Sequence, residues 1–280
     1  MKFGLNLLLW TGAFSNETLD LIDKVADMGF DGAEITFIDI GLVDVRKTAE
    51  RLKARGLECI GCAVMTNDAN PISSDPAVRK AAVQRLERCM EMTDALGGRL
   101  LVGPLYAPVG YLVGRRRTED EWGWCRDVFK EAAKKANQYG ITMALEFLNR
   151  FETFFINTSA DAVQMCKDVG EPCMGVHFDT FHANIEEKDI PEAVRKTGKF
   201  LKHFHASEND RGMIGSGHIP YAEIFKVLKE IGYDDWVVVE SFGSSFKELA
   251  AACCIWRDLV PDPEVFAKEA LKYLKNVASA

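Results

Sequence analysis

The chain has 280 residues, 48% hydrophobic and 27% charged, with a mean hydropathy of −0.08, the profile of a globular protein with enough chain for a large core. A net charge of −8 and a pI near 5.3 make a nucleic-acid backbone a poor partner. No stretch approaches the ~20 apolar residues of a membrane span, and the apolar opening MKFGLNLLLW is too short for a cleavable leader, so a cytoplasmic protein without a membrane partner is expected.

In chain order, short β-like runs alternate with amphipathic stretches. KFGLNLLLW (2–10) precedes SNETLDLIDKVADMGF (15–30), where Leu19, Ile22, Val25 and Ala26 recur at helical spacing, Ser15 or Asn16 can cap the start and Gly29 the end. DGAEITF (31–37) precedes VRKTAERLKARG (45–56), and LECIGCAVM (57–65) precedes PAVRKAAVQRLERCMEMTDALGG (76–98). RLLVGPLY (99–106) leads to EDEWGWCRDVFKEAAKKANQYG (119–140), and ITMALEFLN (141–149) to TSADAVQMCKDVG (158–170). MGVHFDTF (174–181) leads to IPEAVRKTG (190–198), and LKHFHASE (201–208) to IPYAEIFKVLKEIG (219–232). WVVVESF (236–242) is the eighth run; helical FKELAAACCIWRDL (246–259) and PEVFAKEALKYLKNVAS (263–279) finish the chain.

Glycine recurs before nearly every new run, at Gly29, Gly56, Gly97-Gly98, Gly140, Gly170, Gly198 and Gly232, as a helix C-cap leading into a strand would have it. Alternating strands and helices imply parallel strands with right-handed crossovers, and eight units favour one closed (β/α)8 barrel domain over residues 1–280. No GxGxxG follows the first strand, which argues against a dinucleotide fold. The eight cysteines read as packed thiols: Cys59 and Cys62 have CxxC spacing, but on a strand they face opposite ways, and no second CxxC completes a zinc site. The one basic run, Arg115-Arg116-Arg117, reads as a solvated loop.

In such a barrel the chemistry lies at the C-terminal ends of the strands. Runs five to eight end in Glu146, Asp179, His205 and Glu240, one candidate ligand per strand at one level, and Glu34 on run two adds a carboxylate across the mouth. If Glu146 faces inward, so do the small Ala144 and Thr142; if Glu240 does, so does Val238. Carboxylates crowded in a low-dielectric space call for a cation, and three carboxylates with one imidazole favour Mn²⁺, with Co²⁺ or Mg²⁺ as alternatives, over a thiolate-type zinc site. His177 and His203 share the inward face one layer deeper and read as core histidines. His182 lies past its strand end within reach of the pocket, and His218 reads as loop surface. Ile185-Glu186-Glu187 reads as leading into the next helix, with the acidic pair at its N-terminus.

ALEFLNRFE, HFDTFHANIEE, HFHASENDRG, VVVESF and IWRDL, in this order, resemble the D-tagatose and D-psicose (allulose) 3-epimerases, the ketose 3-epimerases of the xylose isomerase-like barrels. The resemblance implies a divalent cation on Glu146, Asp179, His205 and Glu240, with Glu146 and Glu240 as the acid/base pair that inverts C3 of a ketose through a cis-enediolate. It also implies substrate binding by Glu152 of NRFE, His182 of DTFH and Arg211 of SENDR, and a homodimer or homotetramer with the loop after the fourth strand as a candidate contact. The chain departs from the pattern at Asn6-Leu7-Leu8-Leu9, where aromatic residues are usual, and in GPLYAPVGYLVGRRR, which lacks a tryptophan. Those positions resemble the wall against the distal sugar carbons, so the reaction is legible before the sugar; Asn6, Trp10 and Cys62 are candidate wall residues. The rivals on the same scaffold are an aldose–ketose or hydroxypyruvate-type isomerase and a keto-inositol dehydratase. A barrel endonuclease is disfavoured by only five histidines, and a mere sugar-binding protein has little use for two opposed glutamates.

Overall fold

The computed structural model describes residues 1–243 and 246–280. Its strands are β1 (Lys2–Asn6), β2 (Gly32–Phe37), β3 (Glu58–Ala63), β4 (Leu100–Gly103), β5 (Thr142–Glu146), β6 (Met174–Asp179), β7 (Leu201–Ala206) and β8 (Trp236–Val239). They pair in parallel in sequence order, and β8 closes on β1, so the sheet is a barrel without edges. The helices are α1 (Asp20–Asp27), α2 (Val45–Arg55), α3 (Pro76–Ala95), α4 (Glu119–Tyr139), α5 (Ser159–Val169), α6 (Thr180–Glu186), α7 (Ile190–Thr197), α8 (Tyr221–Glu230), α9 (Lys247–Ala252) and α10 (Pro263–Ser279). No helix among the described residues is long and apolar enough to cross a membrane.

The punctuation expected from the glycines is present. Gly56, Gly140 and Gly170 take the left-handed conformation at the ends of α2, α4 and α5, with their N–H groups returned to carbonyls of the last turn. Inside the barrel, alternation sorts residues into two halves. Ile60, Cys62, Leu100, Val102, Ala144, Trp236 and Val238 pack as an apolar cluster, while Asn6, Glu34, His177 and His203 are buried polar groups. The Trp236 indole lies against Gly32: a Cβ there would stand 2.6 Å from its ring, so only glycine leaves room for it.

Three details differ from the sequence reading. The first strand ends at Asn6, whose Oδ1 accepts from the Leu8 N–H at 2.9 Å and starts a 3₁₀ turn over Leu7–Leu9. The short helix α6 intervenes between β6 and α7, so Glu186 and Glu187 stand at a C-terminus and not at the N-terminus expected. They anchor elsewhere: Glu187 accepts from the Ser159 N–H (2.9 Å) and Oγ (2.7 Å) at the start of α5, and Glu186 from Arg150. The helical run expected over 246–259 is helical only in α9, and Cys254 beyond it has a φ of 54°.

Candidate active site

The local sequence DTFH explains how one aspartate is divided between two tasks. Asp179 ends β6 and caps α6: its Oδ1 accepts from the Phe181 N–H (2.6 Å) and the His182 N–H (3.1 Å). That fixes the carboxylate plane and leaves Oδ2, fully buried, with no hydrogen-bond partner. Opposite it stands His205 Nδ1, 3.5 Å from Asp179 Oδ2 and 3.3 Å from Glu240 Oε1, also without a hydrogen-bond partner. Ligand atoms of Glu146, Asp179 and His205 lie within 4.8 Å of one another, a spacing a single cation could close. Glu240 joins this group through His205. Two orphaned buried atoms, one anionic and one a ring nitrogen, facing each other among carboxylates are the signature of a cation site, and the oxygen-rich donor set fits a hard divalent ion. Burial, and then the carboxylates of Glu240 and Asp179, lift the Glu146 carboxyl well above the ordinary carboxylate range, as expected for anions crowded without a counter-ion.

A second group of side chains meets the first from above. NRFE folds as a turn: Asn149 Oδ1 accepts from the Phe151 N–H (2.9 Å), while Asn149 Nδ2 donates to Glu152 Oε1 (2.9 Å). The Asn149 backbone N–H donates to His182 Nδ1 at 3.1 Å, so that nitrogen is the acceptor and Nε2 carries the ring proton. Nε2 lies 3.5 Å from Glu146 Oε1 and 3.4 Å from Arg211 Nη2. Burial lowers the His182 pKa to about 3, so the ring is a neutral donor. Two N–H donors therefore face one another across 3.4 Å, an arrangement that asks for an oxygen atom between them.

Arg211 is buried. Its guanidinium lies between the rings of Phe181 (3.9 Å) and Phe242 (4.6 Å), with Glu152 Oε1 at 3.6 Å and Glu240 Oε2 at 3.7 Å. Its backbone sits in the left-handed region at φ 62°, held by the Ser241 Oγ–H donating to its carbonyl at 2.6 Å. The Glu208 carboxylate organises the same loop by accepting from the backbone N–H groups of Asn209, Gly215 and Ile219.

Glu34 is not at the mouth. It pairs in register with Asn6 and Ile60, one layer below the cation group and fully buried. Its oxygens lie 2.7 Å from His203 Nε2 and 3.0 Å from His205 Nε2, and Asn6 Nδ2 donates to it at 2.8 Å. Burial would raise its pKa, but the two imidazoles override this and hold it at about 2. His177 and His203 occupy the deeper layer as expected; His177 Nδ1 is 3.7 Å from Glu146 Oε2. The place at the mouth on β2 belongs to Thr36, in register with Cys62.

These groups open into one cavity of about 410 Å³, lined by Glu146, Glu152, His182, Arg211 and Glu240 on one side. Asn6 and Cys62 also line it; Trp10, expected there, does not, because the turn after Asn6 carries it past the wall. The far wall is largely apolar, with Leu8, Ile38, Val64, Met65 and Val109. His218 is exposed, with Asn184 Oδ1 2.9 Å away. Arg115 and Arg117 are not free in solvent: Arg115 pairs with Glu121 and Arg117 with Asp161, and Arg117 lies over the Trp122 ring. The polar bridges through Asn6, Asn149 and Glu208 were missed as site-builders. Their only sequence signal is position, since an asparagine can be assigned to an interior network only once its neighbours are known.

Residues 22–277 match the xylose isomerase-like TIM barrel family. The L-ribulose 3-epimerase of Mesorhizobium japonicum is 32% identical over 276 residues, spanning 98% of this chain and 93% of that protein. The D-psicose 3-epimerase of Agrobacterium fabrum is 34% identical over 92% of this chain and 91% of its own. A solved D-allulose 3-epimerase from Methylomonas sp. superposes with a TM-score of 0.95 at 29% identity, covering 99% of this chain and 98% of that one. With its barrel, its conjunction of carboxylates and imidazole, and relatives matched end to end, the chain belongs to the ketose 3-epimerases, isomerase-class carbohydrate enzymes of the xylose isomerase-like TIM barrels.

Proposed function

We propose that this protein inverts C3 of a free 2-ketose of the psicose, tagatose, fructose or ribulose type, with Glu146 and Glu240 as its two acid/base residues. The observation that carries the reading is the meeting, around one cavity, of the Glu146–Asp179–His205 group with Glu240 and with the donors of His182 and Arg211. Glu146, Asp179, His205 and Glu240 would hold one divalent cation, Mn²⁺ first, with Co²⁺ or Mg²⁺ as alternatives for so oxygen-rich a donor set. When bound, such an ion supplies the positive charge that stabilises an oxyanion beside the reacting carbon.

The chain's own residues do the rest. The C3 hydrogen of a 2-ketose is acidified by the C2 carbonyl. One glutamate takes that proton, leaving an enediolate, and the other returns a proton to the opposite face. One turnover therefore exchanges the protonation states of the two glutamates, and exchange with solvent resets them. The Nε2–H of His182 and the Nη2–H of Arg211 give an oxygen at the C1–C2 end of the sugar two converging donors, and Glu152 accepts from a hydroxyl beside them. The exposed Tyr111 and Leu112 on the loop after β4 support that loop as the contact of a homodimer or homotetramer.

Incubation with D-psicose, D-fructose and L-ribulose in D₂O tests the reading. The expected product is the C3 epimer carrying one deuterium at C3. An aldose product, or loss of water with a new ultraviolet band, would overturn it in favour of an isomerase or a dehydratase, and a sugar recovered with its C3 hydrogen intact would mark a mere binder.

A further inference from the structure

Beneath the cation group lies a chain of contacts that the reaction itself does not use. Glu34 is wholly buried, and three donors converge on it: Asn6 Nδ2 at 2.8 Å, His203 Nε2 at 2.7 Å and His205 Nε2 at 3.0 Å. An ionised carboxylate only accepts, so each imidazole facing it must place its proton on Nε2. For a neutral His205, the form that a cation would bind, this has a direct consequence: the other nitrogen, Nδ1, is left as the lone-pair atom, and Nδ1 is the one that looks at Asp179 and Glu240. Asn6 extends the chain to the opposite base. Its Oδ1 is committed to the Leu8 N–H, so the amide cannot be turned over, and its Nδ2 reaches both Glu34 and Glu240 Oε1, the latter at 3.3 Å. One side chain on β1 thus ties a deep carboxylate on β2 to the glutamate that follows β8, while that carboxylate grips the histidine of β7.

We infer that Glu34 and Asn6 are positioning residues, Glu34 setting the His205 tautomer that ligates the cation and Asn6 fixing Glu240 beside it. The inference rests on the cation reading above, but its readout needs no sugar. A merely structural Glu34 would satisfy buried imidazoles and affect melting alone; a positioning Glu34 controls the affinity of the ion. In Glu34→Gln, an isosteric change, the amide presents one acceptor and an NH₂ group to three donors. An NH₂ facing His205 Nε2 moves the ring proton to Nδ1, where it opposes a cation.

Chelator-stripped wild-type, Glu34→Gln and Asn6→Ala proteins are titrated with Mn²⁺, free ion being read by electron paramagnetic resonance, and their visible spectra are recorded with Co²⁺. Melting of each stripped protein is followed in parallel. The Mn²⁺ Kd is expected to rise about 10- to 100-fold in Glu34→Gln, the range for losing a group that orients a metal-bound histidine. A smaller rise, with an altered Co²⁺ spectrum, is expected in Asn6→Ala. A folded Glu34→Gln protein with a Kd within twofold of wild type overturns the inference. Should Glu34→Gln not fold, Asn6→Ala decides, an unchanged Kd and spectrum overturning it. Failure of the wild-type chain to bind any divalent ion would instead overturn the cation reading, and the inference falls with it.

Discussion

Arg211→Lys separates the geometry of the guanidinium from its charge. Both residues suffer the same constraint at φ 62°, so the backbone contributes nothing to the difference. Lysine keeps a positive charge near Glu152 and Glu240, now 3.6 and 3.7 Å from the guanidinium nitrogens. It loses the planar contact with Phe181 and Phe242, and the Nη2–H aimed beside His182. Lysine keeps part of each cation–π attraction, so two contacts weakened by roughly 0.5–1 kcal/mol each give about 1–2 kcal/mol, or about 5- to 30-fold. If Arg211 positions the sugar, most of this falls on KM, with kcat changed less. Arg211→Ala goes further: the buried Glu240 carboxylate and the partly buried Glu152 lose the guanidinium between them, a loss of about 3–5 kcal/mol, and kcat/KM falls by at least ~100-fold. Initial rates over a range of D-psicose at saturating Mn²⁺ supply both constants. A KM for Arg211→Lys within twofold of wild type would refute the positioning role, whatever the alanine variant does.

The remaining predictions probe the other parts of the site. Glu240→Gln should lower kcat by about 10²–10⁴, the range for a missing general acid or base, while substrate deuterium exchange at C3 follows only one face; turnover near the wild-type rate with the ion still bound would exclude the two-base scheme. Removing divalent ions should abolish epimerisation and lower the melting temperature, and Mn²⁺ at 100 times its Kd should return about 2.7 kcal/mol of stability, readable by calorimetry; full activity after stripping would refute the cation site. Because Arg115 and Arg117 are already paired, Arg115→Ala with Arg117→Ala should leave kcat/KM on free ketoses within about twofold, and phosphorylated ketoses should not be preferred; a better rate on the phosphate would contradict this. Hydrogen bonding from Arg115, with the Thr118 N–H, lowers the Glu121 pKa below its ordinary 4.5, so the pair contributes stability above about that pH and loses it as acid titrates the carboxylate. Wild-type and Glu121→Gln melting curves should converge as pH falls through that range, and a gap that widens in acid would refute it.

How much of this was legible in the sequence depends on which spacing carries the information. The barrel was, because eight repeats of period-two runs, helical runs and punctuating glycines agree at every unit. The meeting of the four strand-end side chains was too, because Glu146, Asp179, His205 and Glu240 occupy equivalent positions, and alternation fixes which way an end residue points. Depth was not. Glu34 and Glu146 look alike in sequence, yet pairing sets Glu34 beside Asn6 and Ile60 and Glu146 beside His177, and the barrel's stagger puts them in different layers. Trp10 missed the cavity for a related reason: a single asparagine side chain turns the strand before the tryptophan is reached.

Asp179 shows why local and global readings have to agree at a site of this kind. As an N-cap it has a use at the start of any helix, and as the last residue of β6 it would be a buried anion needing a partner. The structure gives each oxygen one of these tasks. Oδ1 serves the helix that carries His182, and Oδ2 faces the ring of His205. The same carboxylate therefore fixes the distance between the place where a cation would sit and the donor that would meet the sugar. Asp179→Asn isolates this coupling: the amide oxygen can still cap α6 and hold His182, but an NH₂ then occupies the position of Oδ2. Cation affinity should fall steeply while the fold and the His182 environment persist, and a variant that kept wild-type Mn²⁺ affinity would show that Oδ2 has no part in holding the ion.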